Sequence, residues 1–451
     1  MALRDLIRKF EPAAHETHID NTTVRDDKFY EIKQRLHIRI IEEIDLNALD
    51  SSGFDSGSVR SELVGTIEHF LNEEKMLLNE QERRALVTEV ADELLGLGPL
   101  EPLLNDPGVS DILCNTYKYV YVERNGLLEK TNLRFADNDH LRNIIDRIIS
   151  RVGRRIDEST PMVDARLADG SRVNAIIQPL AVDGPMMSIR RFAVEPLMMK
   201  DLIANKSLTP EIGEFLDNCV HARLNIMISG GTGTGKTTFL NILSRYISGN
   251  ERIITIEDSA ELQLQQEHVV RLETRPASIE GTGQIAQRDL VINSLRMRPD
   301  RIIIGEVRGP EAFDMLQAMN TGHEGSMTTI HANTPRDSLT RLESMIMMTG
   351  MRLPEKSMRF MISSALDLIV QATRQTDGTR KITSICEVVG MESDVITLQD
   401  IFVFDRKGLD ENGKVLGHFR ATGIRPQISE RLEMAGIKLD QTLFSPDRIY
   451  T

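Results

Sequence analysis

A glycine-rich segment in the second half of the chain has the residue types and spacing that bind nucleotide phosphates. Residues 230–237 satisfy the pattern G-x-x-x-x-G-K-[ST], between an apolar run and an amphipathic stretch. The glycines let main-chain N–H groups wrap the phosphates, and the following helix adds the positive end of its dipole. We expect ATP and Mg²⁺ here, with Lys236 bridging the β- and γ-phosphates and the Thr237 hydroxyl on the metal. The predicted nucleotide-binding residues are Gly230, Gly231, Thr232, Gly233, Thr234, Gly235, Lys236, Thr237 and Thr238.

Two acidic positions downstream supply the other groups that phosphoryl transfer needs. The apolar run at 302–304 leads through a glycine into Glu306, and a strand ending in a carboxylate after a P-loop is typical of a Mg²⁺-holding segment. We therefore predict Glu306 as a metal ligand, partly through water. Glu257 lies in an acidic segment, 255–261, that follows another apolar run. It is our predicted base for water activation, although a solvated acidic loop would have the same composition.

Histidines and arginines supply further candidates. His323 and His331 flank a predicted strand at 327–330, where they would sense the γ-phosphate or serve only the structure. Arg172 and Arg190 precede the P-loop, in a separate predicted domain. Arginine supplied from another domain or subunit stabilises phosphoryl-transfer charge, and surface salt bridging is the alternative.

The pattern of apolar residues divides the chain into segments that must position these groups. The first 26 residues are polar and aperiodic, apolar positions at helical spacing follow up to residue 98, and mixed α/β patterns come next. Strands and helices alternate beyond the P-loop, which predicts an α/β fold with a largely parallel sheet. The predicted divisions are a disordered tail (1–26), a helical module (27–98), a smaller α/β domain (99–192), a hinge linker (193–205) and the P-loop ATPase domain (206–451).

Bulk composition narrows the function classes. A net charge of −14 and an aromatic content of 4% count against nucleic-acid binding, which uses basic surfaces and stacking rings. Three scattered cysteines exclude a CxxC zinc clip, so no zinc is expected. The N-terminal residues contain no signal-peptide core, and no run of about 18 apolar residues appears. We expect a cytoplasmic protein that reaches a membrane only through partners.

Together the P-loop, the acidic segment, the Glu306 strand and the histidine segment resemble, in type and order, the ATPases of type II secretion, type IV pili and type IV secretion. Within that superfamily the chain resembles the CpaF/TadA branch, which powers tight-adherence (Tad) pili. The segments that carry this closer resemblance are 96–104, 152–161, 164–167, 169–175, 261–275 and 294–301.

The resemblance implies a RecA-like motor domain assembled as a homohexamer. It also implies polytopic inner-membrane platform proteins as partners, contact with pilin only through them, and one motor serving both extension and retraction. The absence of a four-cysteine insertion fits this branch. Another type II or IV secretion ATPase, a nucleic-acid translocase, and a nucleotide-binding scaffold without catalysis remain alternatives. A GTP switch is disfavoured because Asn205-Lys206 lacks the aspartate of a guanine-reading motif.

Overall fold

The computed structural model describes residues 32–33, 35–36, 39–40, 56–73, 78–124, 126–167, 169–191, 197–275, 277, 282–446 and 448–450. The predicted tail lies outside these residues, as do most positions of the predicted helical module before residue 56. None of the helices within these ranges has the length and apolar content needed to cross a membrane.

The first described unit is helical. Helices α1 (Ser56–Glu73) and α2 (Glu80–Leu95) pack against each other and share a core with Leu36 and Ile40. A capping box starts α2: the Asn79 side chain accepts the N–H of Glu82, whose carboxylate accepts the N–H of Asn79.

The next unit is a smaller α/β domain. Its elements are a 3₁₀ turn (Gly98–Leu100), α3 (Glu101–Leu104), β1 (Val109–Thr116), β2 (Tyr119–Arg124), β3 (Leu127–Lys130), α4 (Asn138–Arg151), β4 (Met162–Arg166), β5 (Arg172–Ile176) and β6 (Met186–Arg190). The strands form an antiparallel sheet in the order β3-β2-β1-β6-β5-β4. A hairpin joins β2 to β3, with Gly126 at a φ of 81°.

The P-loop domain follows. Its helices are α5 (Met199–Ala204), α6 (Pro210–His221), α7 (Lys236–Ser244), α8 (Gln287–Ser294), α9 (Glu311–Asn320), α10 (Pro335–Met347), α11 (Glu355–Ala365) and α12 (Ile428–Met434), with a 3₁₀ turn at Gln441–Phe444. Its strands are β7 (Ile226–Gly230), β8 (Ile253–Glu257), β9 (Val269–Glu273), β10 (Arg301–Val307), β11 (Met327–His331), β12 (Leu368–Arg374), β13 (Arg380–Glu392), β14 (Val395–Leu409), β15 (Val415–Ala421) and β16 (Ile449–Tyr450).

These strands form one sheet in the order β16-β15-β14-β13-β12-β7-β11-β10-β8-β9. Strands β12, β7, β11, β10, β8 and β9 pair in parallel, with apolar cores on both faces of the sheet. The predicted α/β, RecA-like fold is confirmed. Strands β13 to β16 instead pair antiparallel, since short turns rather than helical crossovers join β12, β13, β14 and β15.

The predicted hinge linker, 193–205, differs from the structure in its second half. Residues 199–204 form α5, and Met199, Leu202 and Ile203 pack against the core of the P-loop domain. The P-loop domain therefore includes these residues, because they bury apolar surface against it. Residues 193–196 lie outside the described part of the chain.

Candidate active site

Apart from His323, the predicted groups of the P-loop domain meet at one edge of the large sheet. Strand β7 ends in the P-loop at Gly230, β8 ends at Glu257, β11 ends at His331, and Glu306 lies near the end of β10. These strands are parallel neighbours, so their carboxyl ends share an edge, which is where α/β folds bind ligands.

The P-loop turns sharply into α7. Gly235 has a φ of 88°, a left-handed conformation that favours glycine, and α7 begins at the next residue. The Lys236 ammonium donates to the Gly231 carbonyl at 2.9 Å and lies 3.4 Å from both ring nitrogens of His331. Burial is the main factor that lowers the pKa of Lys236, to about 8. The amine thus lies inside the loop, beside the end of β11.

Glu257 has the environment of a general base. Its side chain is buried (3% exposed), and Oε2 accepts the N–H groups of Glu261 and Leu262 at 2.7 and 3.0 Å. Within the described residues, Oε1 has no hydrogen-bond partner. Burial outweighs the two N–H donors and raises the pKa of Glu257 to about 7. A carboxylate with this pKa accepts a proton efficiently near neutral pH.

A close approach between β8 and β10 fixes the Glu257 side chain. A Cβ atom at Gly305 would lie 2.9 Å from Glu257 Cγ, so glycine is required where the two side chains would otherwise collide. Gly305 therefore leaves space for the Glu257 side chain, and the next residue, Glu306, supplies the second carboxylate of the site.

Glu306 lies between a histidine and an arginine. Its Oε1 is 2.9 Å from His331 Nε2, and its Oε2 accepts from Arg308 at 2.7 Å. Arg308 also donates to Asp258 at 3.2 Å. Burial, followed by the Lys236 charge, lowers the pKa of His331 and so favours its neutral ring. His331 thus connects the P-loop lysine with the predicted metal ligand.

The residues present fit a magnesium ion that phosphates help to hold. The pocket at this edge is lined by Thr237, Glu257, Glu306 and Arg172, among others. A hydroxyl and a carboxylate are hard oxygen donors, and Mg²⁺ binds one or two such groups together with substrate phosphates and water. Within the described residues, no group of three or more His, Cys, Asp or Glu could hold a metal ion.

Two arginines of the smaller domain approach this edge from outside the sheet. Arg172 and Arg190 are directly paired residues on β5 and β6. Arg172 lines the pocket and donates to Glu261 at 3.0 Å. Arg190 is 58% exposed and bonds Asp111 at 3.2 Å, and its charge adds a smaller contribution, after burial and Arg308, to the lowered pKa of Lys236.

His323 is the predicted site residue that the structure places elsewhere. It precedes the start of β11, whereas the site lies at the end of that strand. Five strand residues at about 3.3 Å each separate the two edges, so His323 and His331 cannot share one site. Instead, the His323 carbonyl accepts the Ser326 hydroxyl at 2.7 Å. His323 is therefore removed from the predicted site, because the site is formed at the carboxyl ends of the parallel strands and His323 lies at the other end of β11.

Several arginines near the site were not predicted. Arg308 stands two residues after Glu306, immediately after β10 ends at Val307, so a basic residue next to the predicted metal ligand could have been noticed in the sequence. Arg380 donates to the P-loop carbonyl of Gly233 at 2.9 Å, and Arg166 donates to Ser259 at 2.8 Å. Both contacts join distant parts of the chain, and no local pattern predicts them.

Models of known protein families match most of the chain. A family model described as "Type II/IV secretion system protein" matches residues 93–425, and "Type II secretion system protein E, N-terminal domain" matches residues 29–95. The chain belongs to the type II/IV secretion system protein family. The first match contains every described element of the site.

The chain is also similar to individual proteins. A Mycobacterium tuberculosis protein, assigned provisionally to conjugal transfer, is 36% identical over 315 residues, which cover 68% of this chain and 89% of that one. The type IV secretion system protein VirB11 of Brucella suis is 30% identical over 323 residues, covering 65% and 90%. The sulphate-bound crystal structure of the Brucella suis VirB11 ATPase aligns with a TM-score of 0.36 at 27% identity, covering 64% and 96%.

Proposed function

We propose that this chain is the ATP-hydrolysing motor of Tad (type IVb-like) pili. It acts as a homohexamer that drives polytopic inner-membrane platform proteins from the cytoplasm, and it moves pilin only through them. The observation that carries the enzymatic half of this proposal is Glu257. Glu257 lines the same pocket as Thr237 and Glu306, and within the described residues its Oε1 has no hydrogen-bond partner.

The site residues have separate roles in hydrolysis. P-loop N–H groups and Lys236 bind the β- and γ-phosphates of ATP, and Thr237 and Glu306 hold Mg²⁺, whose charge neutralises phosphate oxygens when it is bound. Glu257 accepts a proton from the attacking water through Oε1 while its other oxygen stays held by Glu261 and Leu262. His331 reaches between Lys236 and Glu306, where it responds to the γ-phosphate.

Movement of the smaller domain converts this chemistry into force. Arg172 and Arg190 belong to that domain, and their charges attract the γ-phosphate. ATP binding therefore favours closure of the two domains, and hydrolysis with phosphate release removes the attraction. A ligand with different affinities for two states shifts the equilibrium between them, which is what a motor cycle requires.

Assignment to Tad pili rests on the resemblance of the sequence segments given above to that branch. Sequential closing around a ring would move the platform protein docked to it, in extension and in retraction. Secretion is the second candidate function, and the relatives favour it, since VirB11 of Brucella suis is a type IV secretion system protein.

A genetic experiment separates the two functions. Deletion of the gene should remove surface pili while pilin still accumulates, and the wild-type gene, but not a Lys236→Ala copy, should restore them. Electron microscopy and pilin immunoblots give the two readouts. Normal pili in the deletion strain, with loss of a secreted protein or of conjugation, would support the secretion function and overturn the Tad assignment.

A further inference from the structure

A short turn after β8 connects the predicted base to the smaller domain. This acidic turn, residues 259–262, supplies the N–H groups of Glu261 and Leu262 to Glu257 Oε2 at 2.7 and 3.0 Å. Glu257 is buried, and these two donors, together with the close packing at Gly305, orient its carboxylate. Any movement of the turn therefore changes the direction of the unpartnered Oε1.

Arg166, at the end of β4 in the smaller domain, binds the first half of that turn. Its guanidinium donates to the Ser259 hydroxyl at 2.8 Å and to the Ala260 carbonyl at 3.0 Å. It also lies 3.1 Å from Glu273 Oε2, the same oxygen that accepts the Ala260 N–H at 3.1 Å. A single guanidinium nitrogen, Nη2, thus contacts the side chain of Ser259, the carbonyl of Ala260 and the carboxylate that accepts the Ala260 N–H.

We propose that Arg166 is a positioning residue for hydrolysis, which sets the orientation of Glu257 through the acidic turn. The inference rests on the proposed ATPase function and deepens it. When the smaller domain is in the position described here, Arg166 binds the acidic turn, and the N–H groups of the turn bind the Glu257 carboxylate. When that domain moves away, the contacts of Arg166 are lost and Glu257 is no longer aligned. Hydrolysis is thereby coupled to domain position by contacts distinct from those of Arg172, which binds the Glu261 side chain.

A double-mutant cycle tests this coupling. Arg166→Ala should lower kcat between about 10-fold and 10²-fold, as expected for a misaligned reacting group, with little change in the Kd for ATP. In a Glu257→Gln background the same substitution should produce no further loss in single-turnover rate, because the residue it positions is already disabled. Arg166→Lys, which keeps the charge and one donor group, should recover part of kcat.

Arg154→Ala is the matched control. Like Arg166, Arg154 donates to a main-chain carbonyl, but its acceptor, Asp164 on β4 at 2.6 Å, lies within its own domain. Its removal should leave kcat unchanged, and thermal denaturation should show that both arginine variants remain folded.

Direct contact with phosphate is the alternative role for Arg166, since its Nε lacks a hydrogen-bond partner among the described residues. In that case Arg166→Ala would weaken ATP binding and would slow the Glu257→Gln variant as much as the wild type. That result would overturn the positioning role while leaving the ATPase assignment intact. Absence of hydrolysis by the wild-type protein would instead overturn the proposed function itself.

Discussion

The Arg172 guanidinium donates to the Glu261 carboxylate at 3.0 Å, and this contact crosses from the smaller domain to the P-loop domain. Glu261 is the residue whose N–H holds the Glu257 carboxylate, so a single residue contacts both the predicted base and an arginine of the other domain. The pair is partly exposed, and exposed ion pairs contribute about 0–1 kcal/mol to stability. Its role is therefore better tested by activity than by stability.

The double variant Arg172→Ala, Arg190→Ala should abolish ATPase activity, because both charges are needed to close the domains on the γ-phosphate. Its thermal denaturation and ring assembly should stay close to those of the wild type. Phosphate release, differential scanning fluorimetry and size-exclusion chromatography measure these three properties. Full ATPase activity would rule out the closure mechanism, and a parallel fall in stability would indicate a structural role.

Lys236→Ala should abolish tight ATP binding and turnover. The lysine is buried and donates to the P-loop carbonyl of Gly231, so alanine removes its charge from inside the loop. Isothermal titration with ATP and steady-state phosphate release give the two readouts. Lys356→Ala, which removes a surface lysine paired with Asp394, is the control and should change neither. Unaltered ATP affinity in Lys236→Ala would contradict the assigned P-loop geometry.

Burial of Glu257 should make stability depend on pH. The pKa rises from 4.5 to about 7 on folding, so the native state binds the extra proton between these values. Its contribution to stability is present below pH 4.5 and is lost as the pH rises through 7. Relative to Glu257→Gln, the wild type should lose about 3 kcal/mol between pH 4 and pH 8. Urea unfolding without nucleotide measures this, and parallel pH profiles for the two proteins would refute it.

Zinc should be absent from the purified protein, and chelator treatment followed by Mg²⁺ should restore full activity. The three cysteines, Cys114, Cys219 and Cys386, are buried far apart in sequence, and burial raises the pKa of each thiol. Elemental analysis checks the metal content. One tightly held zinc per chain would contradict the prediction, and His323 and His331 could not bind that ion together.

The site was largely predictable where a motif follows directly on a strand. The P-loop that carries Lys236 follows an apolar run, and Glu257 and Glu306 stand at or near the ends of two others. Parallel strands bring such positions to one edge. The prediction for His323 was wrong because this residue precedes its strand and so lies at the opposite edge of the sheet. Contacts made by Arg166 and Arg380 were not predictable, since each joins residues about a hundred or more positions apart through tertiary packing.

The antiparallel pairing of strands β13 to β16 was also not predicted from the sequence. A pattern of alternating strands and helices predicts parallel pairing, but beyond Arg374 the helices between strands give way to tight turns. Gly378, at a φ of 82°, lies in the turn between β12 and β13, where a two-strand hairpin replaces a crossover. The direction of the chain at that point is set by a few turn residues rather than by the strand pattern.

The most direct test of the account is the Glu257→Gln variant, assayed for ATP binding and for hydrolysis. Glutamine keeps the shape and an acceptor for the N–H groups of Glu261 and Leu262 but cannot accept the proton from water. The account predicts an unchanged Kd for ATP and a kcat lowered by about 10²–10⁴-fold. Turnover at the wild-type rate would contradict it and would move the base to Glu261 or Glu306.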